Sequence, residues 1–243
     1  MTSRERADRL LVARGLFESR ARAQAAITAG LVTADGVVVR KPSEEISSTA
    51  DIEATPEHPY VSRGGVKLAA ALDHFGVDVK DRVCLDVGAS TGGFTEVLLA
   101  RGARLVYAVD VGSGQLHPRL RDRADVQSFE QTDIRKFEPS RLSQTSDIAT
   151  IDVSFISLKL VLPAMAHLLT SKAQIVALIK PQFETQRGSI KKGIVRDEAV
   201  HKAVCDDITS FFSLTEWAVS GIIPSPIFGG DGNREFLIEA KRG

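Results

Sequence analysis

Charged side chains recur where apolar, β-branched runs end: Asp86 inside Val83 to Val87, Asp110 after Leu105 to Val109, Asp133 shortly after Val126 to Phe129, Asp152 after Ile148 to Ile151, and Lys180 after Ile175 to Ile179. Such groups hold hydroxyls and move protons. Between the first two acids lies Gly88-Ala89-Ser90-Thr91-Gly92-Gly93-Phe94, which reads as a tight turn opening a helix over Phe94 to Arg101. Asp110 follows Gly88 by 22 positions, about the offset at which a strand-end acid reaches ribose hydroxyls. The pattern predicts a nucleoside crevice contacted by Asp86, Gly88, Ser90, Gly92, Gly93, Phe94, Asp110, Asp133 and Asp152. Its glycines read G-x-x-x-G-G, not the G-x-G-x-x-G that lets backbone approach a pyrophosphate, and no G-x-x-x-x-G-K-[ST] cradles a triphosphate. S-adenosylmethionine is the expected cofactor.

The atom that would receive the methyl group follows by elimination. Exocyclic base nitrogens are typically served by an Asn/Asp-Pro-Pro-Tyr turn, whereas here the turn reads Asp152-Val153-Ser154-Phe155. Ring carbons need a cysteine nucleophile at a strand end, but Cys84 sits within a strand and Cys205 within a helix. A ribose hydroxyl remains, and it needs a base beside it and the donated carbon in line. Lys180, between an apolar strand and Pro181, is the candidate base, because burial or a neighbouring cation lowers a lysine pKa toward about 7–8. Lys67 can supply that neighbouring charge, Asp152 can hold the lysines and face the methyl donor, and Glu235 can orient Lys67.

Positioning these groups requires a doubly wound, mostly parallel α/β sheet, because open sheets of this kind bind ligands outside the carboxyl ends of their strands. A helix with Asp197 as its cap is expected over Glu198 to Leu214. The strands Trp217 to Ile222 and Glu235 to Ala240 are expected to form a closing hairpin across Gly229 to Asn233. Ahead of this lies a small α+β module. It has helices over Arg4 to Arg14 and Arg20 to Ala29, the second capped by Ser19, and short strands around Ala34-Asp35-Gly36. Ile46 and Ile52 complete its sheet. The boundary is expected near Glu57 to Tyr60, giving domains 1–58 and 59–243.

Basic and acidic residues balance at 31 each, so nucleic-acid contact must come from local patches. One such patch is at the front, where eight arginines or lysines face four acids through Pro42. Arg20 and Arg22 open a helix, where cations oppose the helix dipole and have no evident structural motive. Phosphate would supply one. Arg4, Arg6, Arg20, Arg22, Arg40, Lys41 and Arg63 are the expected RNA contacts, and Phe17 as the module's lone aromatic argues for backbone and shape recognition. Two cysteines offer no disulfide framework, and neither a signal core nor an apolar run of about 20 residues occurs. A cytoplasmic protein without a membrane segment is expected. His201 and Cys205, one helical turn apart, have no second pair of ligands, so no metal is expected.

The front module resembles the alpha-L RNA-binding fold of a small-subunit ribosomal protein and of pseudouridine synthases, which implies structured RNA as its ligand. The order Lys67, Asp152, Lys180, Glu235 resembles the Lys-Asp-Lys-Glu set of FtsJ-like ribose 2′-O-methyltransferases. Five blocks resemble the TlyA family: Val61 to Leu68, the Gly88 loop, Asp152 to Ser157, Lys180 to Glu184, and Gly193 to Val195. That resemblance implies methylation of cytidine riboses in ribosomal RNA of one or both ribosomal subunits. Two competing readings are a ribosome-assembly factor that only senses the cofactor, and the cytolysin suggested by the hemolysin label several members bear. Intact candidates for all four catalytic roles oppose the first, and the lack of an export signal or membrane segment opposes the second.

Overall fold

The computed structural model describes residues 3–186, 188, 190 and 192–243 and divides into two compact units, 1–59 and 60–243. In the first unit, β1 (Arg4–Arg6) leads directly into α1 (Ala7–Ala13), and α2 (Arg20–Thr28) follows. The helix expected over Arg4 to Arg14 therefore starts three residues late. Its first residues are spent pairing antiparallel with β4 (Glu45–Ser47), Glu5 opposite Ile46. Strands β2 (Val32–Ala34), β3 (Val37–Val38) and β5 (Ile52–Ala54) form a separate sheet in the order β3-β2-β5. Ile46 and Ile52 thus complete two different sheets, a correction to the single sheet expected. Asp35 and Gly36 both take positive φ, 50° and 76°, as a two-residue hairpin of this twist requires. Ser19 caps α2 as expected, accepting from the Arg22 amide. Leu11, Ala23, Ala26, Ile27 and Val32 fill the small core.

The second unit opens with α3 (Gly64–Phe75). There follow β6 (Val83–Val87), α4 (Gly93–Ala100), β7 (Leu105–Val109), α5 (Pro118–Arg121), β8 (Val126–Phe129), β9 (Ser146–Ile151), α6 (Leu158–Met165) and β10 (Leu169–Ile179). The chain closes with α7 (Pro181–Glu184), α8 (Glu198–Leu214), β11 (Trp217–Pro224) and β12 (Phe236–Arg242). The strands form one sheet in the order β11-β12-β10-β9-β6-β7-β8, with β12 antiparallel to both neighbours. Central strands buried on both faces read as unbroken apolar runs, which is why β6 and β9 are almost wholly inaccessible. Apolar clusters lie on both faces, one around Tyr107, Ile151, Ile179 and Phe212, the other around Leu68, Cys84, Leu98 and Leu178. The chain runs from β6 outward to β7 and β8, then returns to the opposite side of β6 with β9. The edge between β6 and β9 is therefore the topological switch point, where such sheets leave a crevice.

Candidate active site

The loop after β6 is fixed by backbone bonds. The Gly88 and Ala89 amides donate to the Val109 carbonyl at 2.8 and 3.2 Å, and the Gly92 amide to the Ala89 carbonyl at 2.7 Å. Gly88 and Gly92 adopt φ of 84° and 96°, values that only glycine takes at little cost. Their missing side chains serve packing. A β-carbon at Gly88 would overlap the Asp152 carbonyl, one at Gly92 would overlap Leu120, and one at Gly93 would overlap the Ser62 hydroxyl.

Asp110 ties two loops together. One of its carboxylate oxygens accepts from the Ser90 amide at 2.8 Å, the other from the Gly112 amide at 2.7 Å. Each oxygen keeps a lone pair for a further donor such as a hydroxyl. Asp133 caps a short 3₁₀ turn, Ile134–Lys136, and pairs with Arg135 at 2.6 Å, which holds its carboxyl below the ordinary range. Asp86 departs from expectation. It is wholly buried beneath the loop and receives the Thr95 hydroxyl at 2.6 Å and the Thr150 hydroxyl at 3.0 Å, and burial pushes it up to about 7. It lines neither cavity described below; its place is under the loop, because a residue one short of the strand end still points into the sheet's packed face.

A cleft of two lobes opens at the switch point. One lobe, about 240 Å³, is lined by Arg63, Lys67, Gly93, Phe94 and Asp152 among others. The other, about 490 Å³, is lined by Asp110, Val111, Gln115, Asp133, Ile134 and Phe155 among others. Gly88, Ser90 and Asp152 border both. Gln115 accepts from the Ser90 hydroxyl at 3.0 Å, and its place on the lobe had no signal in the sequence beyond its being polar. The larger lobe sets acids against apolar walls, as a nucleoside requires.

The four candidate catalytic side chains form two ion pairs. Lys67 donates to Glu235 at 2.6 Å, with side chains 10% and 3% exposed, and Lys180 contacts Asp152 at 2.7 Å. Lys180 also donates to the Ser154 hydroxyl at 2.9 Å. Strand register explains the convergence. Ile151 pairs with Val87 and Ala177, and Ile179 pairs with Phe236, so Gly88, Asp152, Lys180 and Glu235 follow one another across four adjacent strand ends. Neighbouring strands lie about 4.8 Å apart. Lys67 reaches the same edge from the first turn of α3. The two turns are also clasped to each other, since Glu184 receives the Ser157 hydroxyl at 2.5 Å and the Leu158 amide at 2.8 Å. Burial pushes Glu184 above the ordinary glutamate value. At the mouth, Phe155 takes φ 65°, is 91% exposed, and lies 5.0 Å from the Phe183 ring. Burial pushes the Cys84 thiol up to about 12, which disqualifies it as a nucleophile.

Comparison with known proteins shows the family. A family model for FtsJ-like methyltransferases matches residues 60–242, and one for the S4 domain matches residues 5–52. YqxC of Bacillus subtilis (strain 168), which carries an rRNA methyltransferase name, is 47% identical over 98% of this chain and 86% of its own. The 16S/23S rRNA (cytidine-2′-O)-methyltransferase TlyA of Mycobacterium tuberculosis is 41% identical over 98% of this chain and 90% of its own. A solved structure from Streptococcus thermophilus with a hemolysin name superposes with a TM-score of 0.78 at 45% identity, covering 100% of this chain and 90% of that one. The chain belongs to the TlyA family. As a TlyA-family methyltransferase it pairs an S4 domain with an FtsJ-like domain, and three of the blocks that resemble the family, Val61 to Leu68, the Gly88 loop and Asp152 to Ser157, contribute lining to the cleft.

The S4 domain places the expected RNA contacts unevenly. Arg4 donates to the Glu45 carbonyl, and Arg6 makes two bonds of 3.1 Å to Asp8. Arg20 meets Asp8 at 2.7 Å, and Arg22 meets Glu18 at 3.9 Å and the His58 carbonyl at 3.3 Å. Arg20 and Arg22 therefore do have structural partners, which corrects the inference drawn from their position. Asp8 is wholly buried, and its carboxyl is held far below the ordinary range by the Arg6 guanidinium, with Arg20 and Gln24 adding to the effect. Arg40 and Lys41 are exposed, and so is Arg63, which lies outside the S4 domain on the smaller lobe of the cleft. His201 is engaged with the Val195 carbonyl at 3.0 Å, and among the described residues no group of three His, Cys, Asp or Glu side chains is placed to hold a metal. Among them, too, no helix is long and apolar enough to cross a membrane.

Proposed function

We propose that this TlyA-family protein transfers a methyl group from S-adenosylmethionine to the 2′-hydroxyl of a cytidine in ribosomal RNA, within ribosomal subunits in the cytoplasm. The observation that carries the reading is the pair of buried ion pairs, Lys67 with Glu235 and Lys180 with Asp152, at the edge of a nucleoside-sized cleft. The larger lobe suits the adenosine end of the cofactor, with Asp110 accepting from the ribose, Asp133 facing the adenine and Ile134 and Val111 against its faces. The cofactor supplies an electrophilic methyl on a sulfonium that leaves as a neutral thioether. Lys180 takes the proton from the attacking 2′-hydroxyl, and Asp152 with Ser154 fixes the nitrogen and holds the ammonium that results. Lys67, oriented by Glu235, directs its remaining donors at the ribose. Phe155 keeps a costly positive φ and an unshielded ring at the mouth, which fits a face on which a displaced base can stack. The cytidine assignment follows the M. tuberculosis relative's name.

The test is incubation of purified protein with methyl-labelled S-adenosylmethionine and separated small and large ribosomal subunits, followed by digestion to nucleosides. The expected product is labelled 2′-O-methylcytidine. Label on a base, or on the ribose of another nucleoside, refutes the acceptor assignment.

A further inference from the structure

A cation at the first turn of a helix opposes the helix dipole, and a carboxylate removed from water costs several kcal/mol unless it is well paired. The S4 domain accepts both at one point. Asp8, fully buried on α1, receives Arg6 from the last residue of β1 through two bonds of 3.1 Å, Arg20 from the start of α2 at 2.7 Å, and Gln24 one turn further at 2.8 Å. Three separate elements are thereby tied to one carboxylate. The two arginines are far from submerged, since their side chains are 39% and 50% exposed. Arg6 spends Nε and Nη2 on Asp8 and Arg20 spends Nη2; among the described residues, Nη1 of Arg6 and Nε and Nη1 of Arg20 have no protein acceptor. Two guanidinium charges against one carboxylate leave a single positive charge facing solvent, with planar donors already oriented.

We propose that Asp8 is a positioning residue for RNA binding: it fixes Arg6 and Arg20 as a preformed two-arginine clamp for a backbone phosphate. The proposal rests on the reading that this protein acts on ribosomal RNA. A planar guanidinium held by a carboxylate on one edge loses little side-chain freedom when it meets phosphate on the other. Loose arginines lose more. The clamp commits the module to phosphate geometry, which suits its scarcity of aromatic rings for stacking.

Charge alone and positioning predict opposite signs, and this makes the test decisive. Asp8→Asn removes a negative charge, so an electrostatic patch without geometry binds RNA more tightly and with a steeper salt dependence. Positioning predicts that the full-length variant binds Bacillus subtilis ribosomal subunits about tenfold more weakly. It also predicts that the slope of log affinity against log salt becomes shallower by roughly 0.7–0.9, one phosphate contact's worth. Thermal melting with unchanged circular dichroism checks that the S4 domain still folds. Should Asp8→Asn unfold it, Arg20→Lys keeps every charge but loses the planar fork, and it is expected to weaken binding about tenfold as well. Tighter or unchanged binding by a folded Asp8→Asn, or unchanged binding by Arg20→Lys, overturns the clamp. Failure of the parent protein itself to bind either subunit overturns the ribosomal reading beneath it, a result distinguishable from both.

Discussion

Asp86 lies beneath the loop of the cleft without touching its surface, and its environment sets a quantitative expectation. Burial raises it from an ordinary value of 3.8 to about 7, although the Thr95 and Thr150 hydroxyls favour its charged form. The folded protein therefore binds a proton between these two values that the unfolded chain has already released. Stability from this group is fully present below about pH 4, falls as pH rises toward 7, and is flat above. A gap of about 3 pH units, at about 1.4 kcal/mol each, amounts to about 4 kcal/mol as an upper bound. Asp86→Asn fills the same volume and does not titrate. It gives up some hydrogen-bond match with the two threonines, at about 1–3 kcal/mol. At pH 8 the variant is therefore about as stable as the parent or more stable, and at pH 4 it is less stable. Urea unfolding across pH 4 to 8, followed by fluorescence of Trp217, the buried lone tryptophan, measures this directly. Groups common to both proteins cancel in the difference. A difference in unfolding free energy that does not change between pH 4 and 7 would show that Asp86 is already ionised in the folded state, and would refute the reasoning.

Three further outcomes are expected. Lys180→Met should bind S-adenosylmethionine within about threefold of the parent by calorimetry yet lose about 10²–10⁴ in turnover, the range for a lost general base; retained turnover removes that role. Glu235→Gln should lower the urea stability by about 3 kcal/mol because it strands the Lys67 ammonium, whereas Lys67→Met with Glu235→Leu should recover most of that loss; strictly additive effects would show that the 2.6 Å pair is not coupled. Glu184→Gln and Ser157→Ala should each reduce kcat about tenfold with little change in cofactor KM, and together no more than either alone. Multiplying losses in the double variant would separate Glu184 from the Ser157 turn and end its role as a clasp.

Much of the catalytic unit was legible because its physics is local. β6, β7, β8 and α8 fall where the apolar runs and the Asp197 cap place them. β10 begins six residues earlier than Ile175, since its first stretch, Thr170 to Lys172, is polar and largely exposed and carries no apolar signature. What stayed hidden depended on partners distant in sequence. Arg4 to Arg6 looked like the start of a helix because nothing near them announces Glu45–Ser47 as a strand partner. Arg20 looked unmotivated because its acceptor, Asp8, reads as an ordinary surface acid of an amphipathic helix and is buried only once α1 packs on α2.

The site itself was legible as a set of residues, while its internal pairing was a consequence of the sheet. Lys67 and Glu235 are 168 positions apart, yet their charged atoms meet at 2.6 Å. β12 enters antiparallel beside β10, so the residue before its first strand position, Glu235, falls next to the residue after the last position of β10, Lys180. A parallel final strand would have carried residue 235 to the opposite edge of the sheet, some seven residues and roughly 23 Å away at about 3.3 Å per residue. The antiparallel strand is thus what brings the fourth charged group to the edge where ligands collect. A one-residue slip in the β10–β12 register would turn Glu235 to the other face and leave Lys67 buried without a counter-ion. Register at this strand end is therefore coupled to the electrostatics of the cleft, and the stability of the closing hairpin and the competence of the four charged groups should rise and fall together.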